Sequence, residues 1–202
     1  MRRYEIINRI IKDRDAKKYL EIGVYTGQCI REIKVEHKDG VDPGSEGHVA
    51  PEVTHRMTSD EFFANLDKDF KYDVIFIDGL HHSEQVDKDI ENALNHIVDN
   101  GVIVLHDCNP EEELYTLIPR VSGIWNGDVY KSVLRFRKKG LHTCFTVDTD
   151  CGCGVIVKDN TQDEVENLEL YEEAEKDWKV FHENRTELLN LIRVYDFERL
   201  KF

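Results

Sequence analysis

The sequence predicts an α/β sandwich with a mostly parallel sheet. Three observations predict it. Apolar runs that stop at an acid recur, at "YLE", "YDVIFID" and "GVIVLHD", as strands buried on both faces should read. Between them lie segments whose apolar residues repeat at helical spacing. The stretch from Tyr72 to Asp107 reads strand, helix, strand, which is a βαβ unit.

Taken in order, Ile6, Ile7, Ile10 and Ile11 place an amphipathic helix over residues 2 to 14. "KKYLEIG" reads as a short buried strand. "GQCIREIK" starts a helix with Ile30 and Ile33 inward. "KDGVDPG" is a brief strand that ends in a turn. "EGHVAPEVTHRM" is irregular, though a third strand is expected before Ser59. "SDEFFANL" is a short helix capped by Ser59 or Asp60. After the strand "YDVIFID", residues 83 to 100 read as one helix with Val86, Ile90, Leu94 and Ile97 on a face, stopped by Asn100-Gly101. "LHTCFTVDTDCGCGVIVKD" reads as two strands around a polar turn, an antiparallel hairpin at the sheet edge. In the acidic tail Tyr171, Ala174, Trp178, Phe181, Leu188 and Ile192 share a helical face. The expected division is therefore a domain over 1–158 and a helical extension over 159–202 packed on it.

The chain has 202 residues, 40% of them hydrophobic, enough for one sizeable core. Its formal charge of −14 argues against nucleic acid as a partner. No stretch is long and apolar enough to span a bilayer, and the start has no apolar targeting segment, so a cytoplasmic location without a membrane partner is expected. Five scattered cysteines do not form a disulfide framework. Cys151 and Cys153 lack neighbouring ligands and read as packing residues. A homo-oligomer is left open.

In parallel α/β sheets ligands sit beyond the carboxyl ends of the strands. Here the first such end is Glu21-x-Gly23-x-x-x-Gly27. A dinucleotide site wants G-x-G-x-x-G so that backbone approaches a pyrophosphate. An acid directly before the loop disfavours phosphate and suits a ligand with a cationic end, such as S-adenosylmethionine. Asp42, ending the next strand, is placed to accept from both ribose hydroxyls, and Ser59 and Asp60 to meet an adenine edge. The alternative is that these glycines serve only a tight strand-to-helix turn.

Together, "YLEIGVYTGQC", "GVDP", "THRMTSDEFF", "YDVIFIDGLHHSEQVDKDIENAL", "GVIVLHDCNP", "WNGDVYKSVLRFR" and "FTVDTDCGCGVI" resemble the class I S-adenosylmethionine-dependent methyltransferases, within them the small group related to macrocin O-methyltransferases. The resemblance covers about residues 18 to 157. It implies a Rossmann-like three-layer sandwich with seven strands, the last antiparallel. It further implies that Glu21, Gly23, Val24, Tyr25 and Gly27 surround the cofactor's methionine part, that Asp42 holds the ribose, that Ser59 and Asp60 lie near the adenine, and that Asp78 faces both cofactor and acceptor. Tyr25 replaces the middle glycine usual in such loops.

Methyl transfer needs an aligned nucleophile and a group that takes its proton. "DGLHH" supplies Asp78, His81 and His82, and "LHDCN" supplies His106, Asp107 and Asn109. His81 or His82 is a candidate general base, together with Asp78 and Asp107 as catalytic residues; the alternative is that the histidines cap the next helix. Asp78 and Asp107 also form a donor set for Mg²⁺ or Mn²⁺, although "Asp-Cys-Asn" is off by one from the paired acids of related sugar O-methyltransferases. Trp125 and Asp128 are candidates for lining the acceptor pocket. Lys131, Arg135, Arg137, Lys138 and Lys139 read as a solvated helix face rather than an anion site. The acceptor expected is a small molecule with a hydroxyl, of the sugar or glycan-precursor type. A nicotinamide oxidoreductase and a non-catalytic S-adenosylmethionine-binding module are the competing readings.

Overall fold

The computed structural model describes all residues except 46, 163 and 164. Its elements are α1 (Arg3–Arg14), β1 (Lys18–Ile22), α2 (Gln28–Glu32), β2 (His37–Val41), α3 (Ser59–Asn65), β3 (Tyr72–Ile77), α4 (Ser83–Asn95), β4 (Ile97–Leu105), α5 (Val129–Lys138), β5 (Leu141–Val147), β6 (Cys153–Gln162), α6 (Leu168–Ala174), α7 (Trp178–Leu188), β7 (Leu191–Ile192) and α8 (Val194–Phe197). Seven strands form one sheet in the order β2-β1-β3-β4-β6-β5-β7. β2, β1, β3 and β4 are parallel to one another, whereas β6 runs antiparallel to both β4 and β5.

The period of two along β3 explains the layers. Val74 and Phe76 face a core shared with Ile6, Ile7 and Ile10 of α1. Ile75 and Ile77 face the opposite core, with Val86 and Ile90 of α4 and Val133 of α5. β3 is covered on both faces, which is why its sequence is a nearly continuous apolar run.

Several elements differ from the sequence expectation. α4 stops at Asn95, five residues early, and Ile97 already belongs to β4. Tyr72 pairs with Ile97 but Val74 with Val102, so the intervening residues of β4 bulge. Asn100 takes a left-handed φ of 62° there, and a Cβ on Gly101 would lie 2.5 Å from Ile97 Cγ1. Helical spacing through Ile97 is thus fortuitous, because that side chain packs from the sheet. The cap of α3 is Thr58, whose hydroxyl accepts from the Glu61 amide while Glu61 accepts from the Thr58 amide. In place of the strand expected before Ser59 there is a single bridge from Val41 to His55. The seventh strand is instead β7, which pairs with β5 at Thr146 and Val147. The expected antiparallel hairpin is β5 and β6, docked through β6 on β4, with only the two-residue β7 lying outside it. The tail's apolar face is split between α6, α7 and β7, and β6 runs past position 158 to Gln162.

Candidate active site

The four parallel strands end along one edge of the sheet and deliver Glu21, Asp42, Asp78 and Asp107 to it. Gly23 is the pivot. Its φ is 86°, and a Cβ there would sit 2.1 Å from the Asp78 carbonyl oxygen, so only glycine lets the first loop cross the end of β3. Asp42 then fixes the loop: its Oδ2 accepts from the Tyr25 amide at 2.8 Å and its Oδ1 from the Gly44 amide at 2.7 Å. Gly27 caps α2.

Two adjoining cavities open along this edge. One, of about 320 Å³, is lined by Asp42, Ser59, Asp60 and Gln85, with Ile22, Val41 and Leu80 as apolar walls. The other, of about 410 Å³, is lined by Glu21, Val24, Asp78, His81, His106 and Asp107, with Arg3, Arg120 and Trp125. Gly23, Tyr25 and Gly79 belong to both. The described residues thus offer a single bent trough with a largely apolar arm and a charged arm.

Glu21 is 1% exposed and accepts from the Tyr19 hydroxyl at 2.6 Å. Burial pushes its carboxyl up to about 7, against the pull of that hydrogen bond. Asp78 and Asp107 face a pair of histidines. His81 lies 3.4 Å from an oxygen of each, through Nε2 to Asp78 and Nδ1 to Asp107. His106 Nδ1 lies 3.3 Å from Asp78 and 3.1 Å from Asp107. Burial opposes the charge on Asp78, yet His106 and His81 outweigh it and hold this carboxyl below the usual range. Burial likewise works against a charged His81, and the two carboxylates overcome it, so its affinity for a proton is raised. The same carboxylates favour a doubly protonated His106, but Arg3 Nη1 stands 3.0 Å from His106 Nε2. A guanidinium can only donate, so the contact geometry decides for Nε2 as acceptor and a single proton on Nδ1, facing the carboxylates. Arg3 is in turn held by Asp150, at 3.3 Å, and Asp107 accepts from Asn126 at 2.8 Å.

The structure does not bring every predicted residue to the trough. His82 precedes α4 and sets its ring edge against Trp125, 6.1 Å between centroids, whereas His81 stacks on that indole at 5.0 Å. Asn109 turns away: it donates to Asp148 and accepts from Arg185 on α7. Asp128 does not line either cavity; it accepts from the Ser83 amide and hydroxyl and so caps α4. The cations of α5 bind neighbouring elements: Arg135 bridges Asp87 and Glu175, each at 2.7 Å, and Lys138 meets Glu172. Cys151 lies in the turn before β6 and Cys153 is buried at its start. Conversely, sequence reasoning missed Arg3 and Asp150. Arg3 sits on a helix read only for its apolar face, and Asp150 in a turn read only as a turn.

Residues 20–108 match the family described as "Methyltransferase domain". This stretch is thus similar to a methyltransferase domain. Solved structures agree at the level of the fold. An O-methyltransferase from Bacillus cereus in complex with S-adenosylhomocysteine is similar at a TM-score of 0.57 and 15% identity, over 77% of this chain and 80% of that one. The O-methyltransferase TomG from Streptomyces achromogenes, solved with S-adenosylmethionine, gives 0.50 and 15% over 77% and 79%. CalS10, an amino pentose methyltransferase from Micromonospora echinaspora, also bound to S-adenosylmethionine, gives 0.50 and 15% over 76% and 89%. No curated protein matches the sequence. The matched stretch runs from within β1 to just past the end of β4, and so includes Glu21, Asp42, Asp78 and Asp107. The macrocin-type group is not singled out by these similarities.

Proposed function

We propose that the protein transfers a methyl group from S-adenosylmethionine to a hydroxyl of a small-molecule acceptor of the sugar or glycan-precursor type. The trough carries this reading: its two arms meet at Gly23, as a nucleoside joined to an amino acid requires. Asp42 takes the ribose and Ser59 and Asp60 the adenine side. Glu21, Val24 and Tyr25 frame the amino-acid part, while Gly27, expected there too, lines neither arm and serves the turn into α2. Bound there, the cofactor supplies a methyl group on a positively charged sulfur, which leaves without further activation. The chain's task is then to hold the acceptor oxygen in line and remove its proton. His81, stacked on Trp125 between Asp78 and Asp107, is the proton acceptor; Trp125 offers a flat face to the acceptor ring. His106, tied to Arg3, orients the two carboxylates.

Asp78, His81 and Asp107 also suit a divalent ion. One donor atom from each lies within 4.8 Å of the others, and two carboxylates with an imidazole match Mn²⁺ or Mg²⁺. A bound ion would supply a Lewis acid for the acceptor hydroxyl. Titration with Mn²⁺ is expected to give heat with the protein and none with Asp107→Ala; equal traces would remove the metal from the reading.

Calorimetry with S-adenosylhomocysteine and with NAD⁺ tests the whole. The former is expected to bind and the latter not. The reverse result would make the chain an oxidoreductase. Binding without transfer to any sugar acceptor would favour the non-catalytic module.

A further inference from the structure

Gln85 of α4 reaches across to the start of α3. Its Nε2 lies 2.9 Å from Asp60 Oδ1, 3.2 Å from Asp89 Oδ1 and 3.3 Å from Ser59 Oγ. Two N–H groups thus serve three acceptors. Reversing the amide would set its carbonyl oxygen against two carboxylates and leave no donor for them, so the orientation is dictated by the network. Oε1 accordingly points the other way. It accepts from no described residue, and Gln85 lines the 320 Å³ arm beside Asp42 and Leu80.

We propose that Gln85 reads the base of the cofactor, its fixed carbonyl oxygen accepting from the exocyclic amine of adenine. The assignment rests on the S-adenosylmethionine reading above and adds a specificity residue to it. An acceptor locked in this direction welcomes an amino group. It meets a 6-oxo purine carbonyl to carbonyl, with both lone pairs desolvated and unmatched. Ser59 and Asp60 act behind it: their oxygens are engaged by the Gln85 amide, so they set its direction.

The test is isothermal titration of the full chain with S-adenosylhomocysteine and with S-inosylhomocysteine, which differ in the group at purine position 6. The wild type is expected to bind the adenosyl compound at least about tenfold more tightly. Gln85→Leu is expected to lose about tenfold for the adenosyl compound and to change little for the inosyl one, so that the preference collapses. Gln85→Met, also without the amide, should behave alike and serves if the leucine variant does not fold. Equal wild-type affinities, or a preference that survives both substitutions, overturns the assignment while leaving the cofactor reading intact. Binding of neither compound to the wild type overturns both.

Discussion

At the scale of single residues, Glu21 has the most consequential environment. A carboxyl that titrates near 4.5 in an unfolded chain is held at about 7 by burial. The folded state therefore binds its proton more tightly than the unfolded state. Stability from this group is complete below pH 4.5 and declines as pH rises toward 7, by about 3 kcal/mol in all. Glu21→Gln is expected to remove that decline. Urea unfolding at pH 5 and pH 7.5 checks it: the variant should gain on the wild type at the higher pH, and parallel losses would show that the carboxyl is not so perturbed. His81→Asn should lower kcat about 10²- to 10⁴-fold and leave S-adenosylhomocysteine affinity in place, if the imidazole is the proton acceptor. An unchanged kcat would move that role elsewhere. Gly23→Ala brings a methyl to 2.1 Å from the Asp78 carbonyl and should cost at least about 2 kcal/mol of stability, read from the same denaturation curves.

At the scale of elements, one contact ties two helices to the site. Asp128, just before α5, receives the first amide of α4 as well as the Ser83 hydroxyl. Asp128→Ala is expected to destabilise by about 1–2 kcal/mol; a melting point equal to that of the wild type would contradict this capping role. The central strands β1, β3 and β4 were legible from the sequence because burial on both faces leaves an apolar run, and the acids at their ends followed from the same reading, whereas the short edge strand β7 left no such run. The boundary between α4 and β4 was not legible. Ile97 fits a helical stripe and a buried strand equally, and only the bulge opposite Tyr72 and Val74 decides between them. The tail was read as one helix for a related reason, since Ile192 lies in phase with Phe181 and Leu188 but belongs to β7. In the candidate site, Asp78, His81 and Asp107 come from neighbouring strand ends and could be grouped by topology. Arg3 and Asp150 are 147 positions apart, and no local pattern announces that they meet.

At the scale of the whole molecule, the ends of the chain close the core that α1 begins. Phe197 is fully buried among Ile6, Ile7 and other α1 residues, and Arg9 lies over its ring at 5.4 Å. The acidic tail thus supplies both an edge strand and part of a core. Phe197→Ala should cost about 3–5 kcal/mol, as measured by equilibrium unfolding, and a smaller loss would mean that the tail docks without supporting the sheet. Arg185 of α7 contributes differently: it donates to Asn109 Oδ1 and the Pro110 carbonyl, immediately after the strand that carries His106 and Asp107.

Of the five thiols, four are shut inside the protein and Cys151 alone is open to solvent. Burial and the nearby Asp107 push its thiol above the usual value, so a maleimide dye would need mildly alkaline buffer to react. The reward is a fluorophore at one known address, a turn away from the Arg3–Asp150 clasp, on the unmutated chain. Its brightness could then follow the filling of the charged arm in real time.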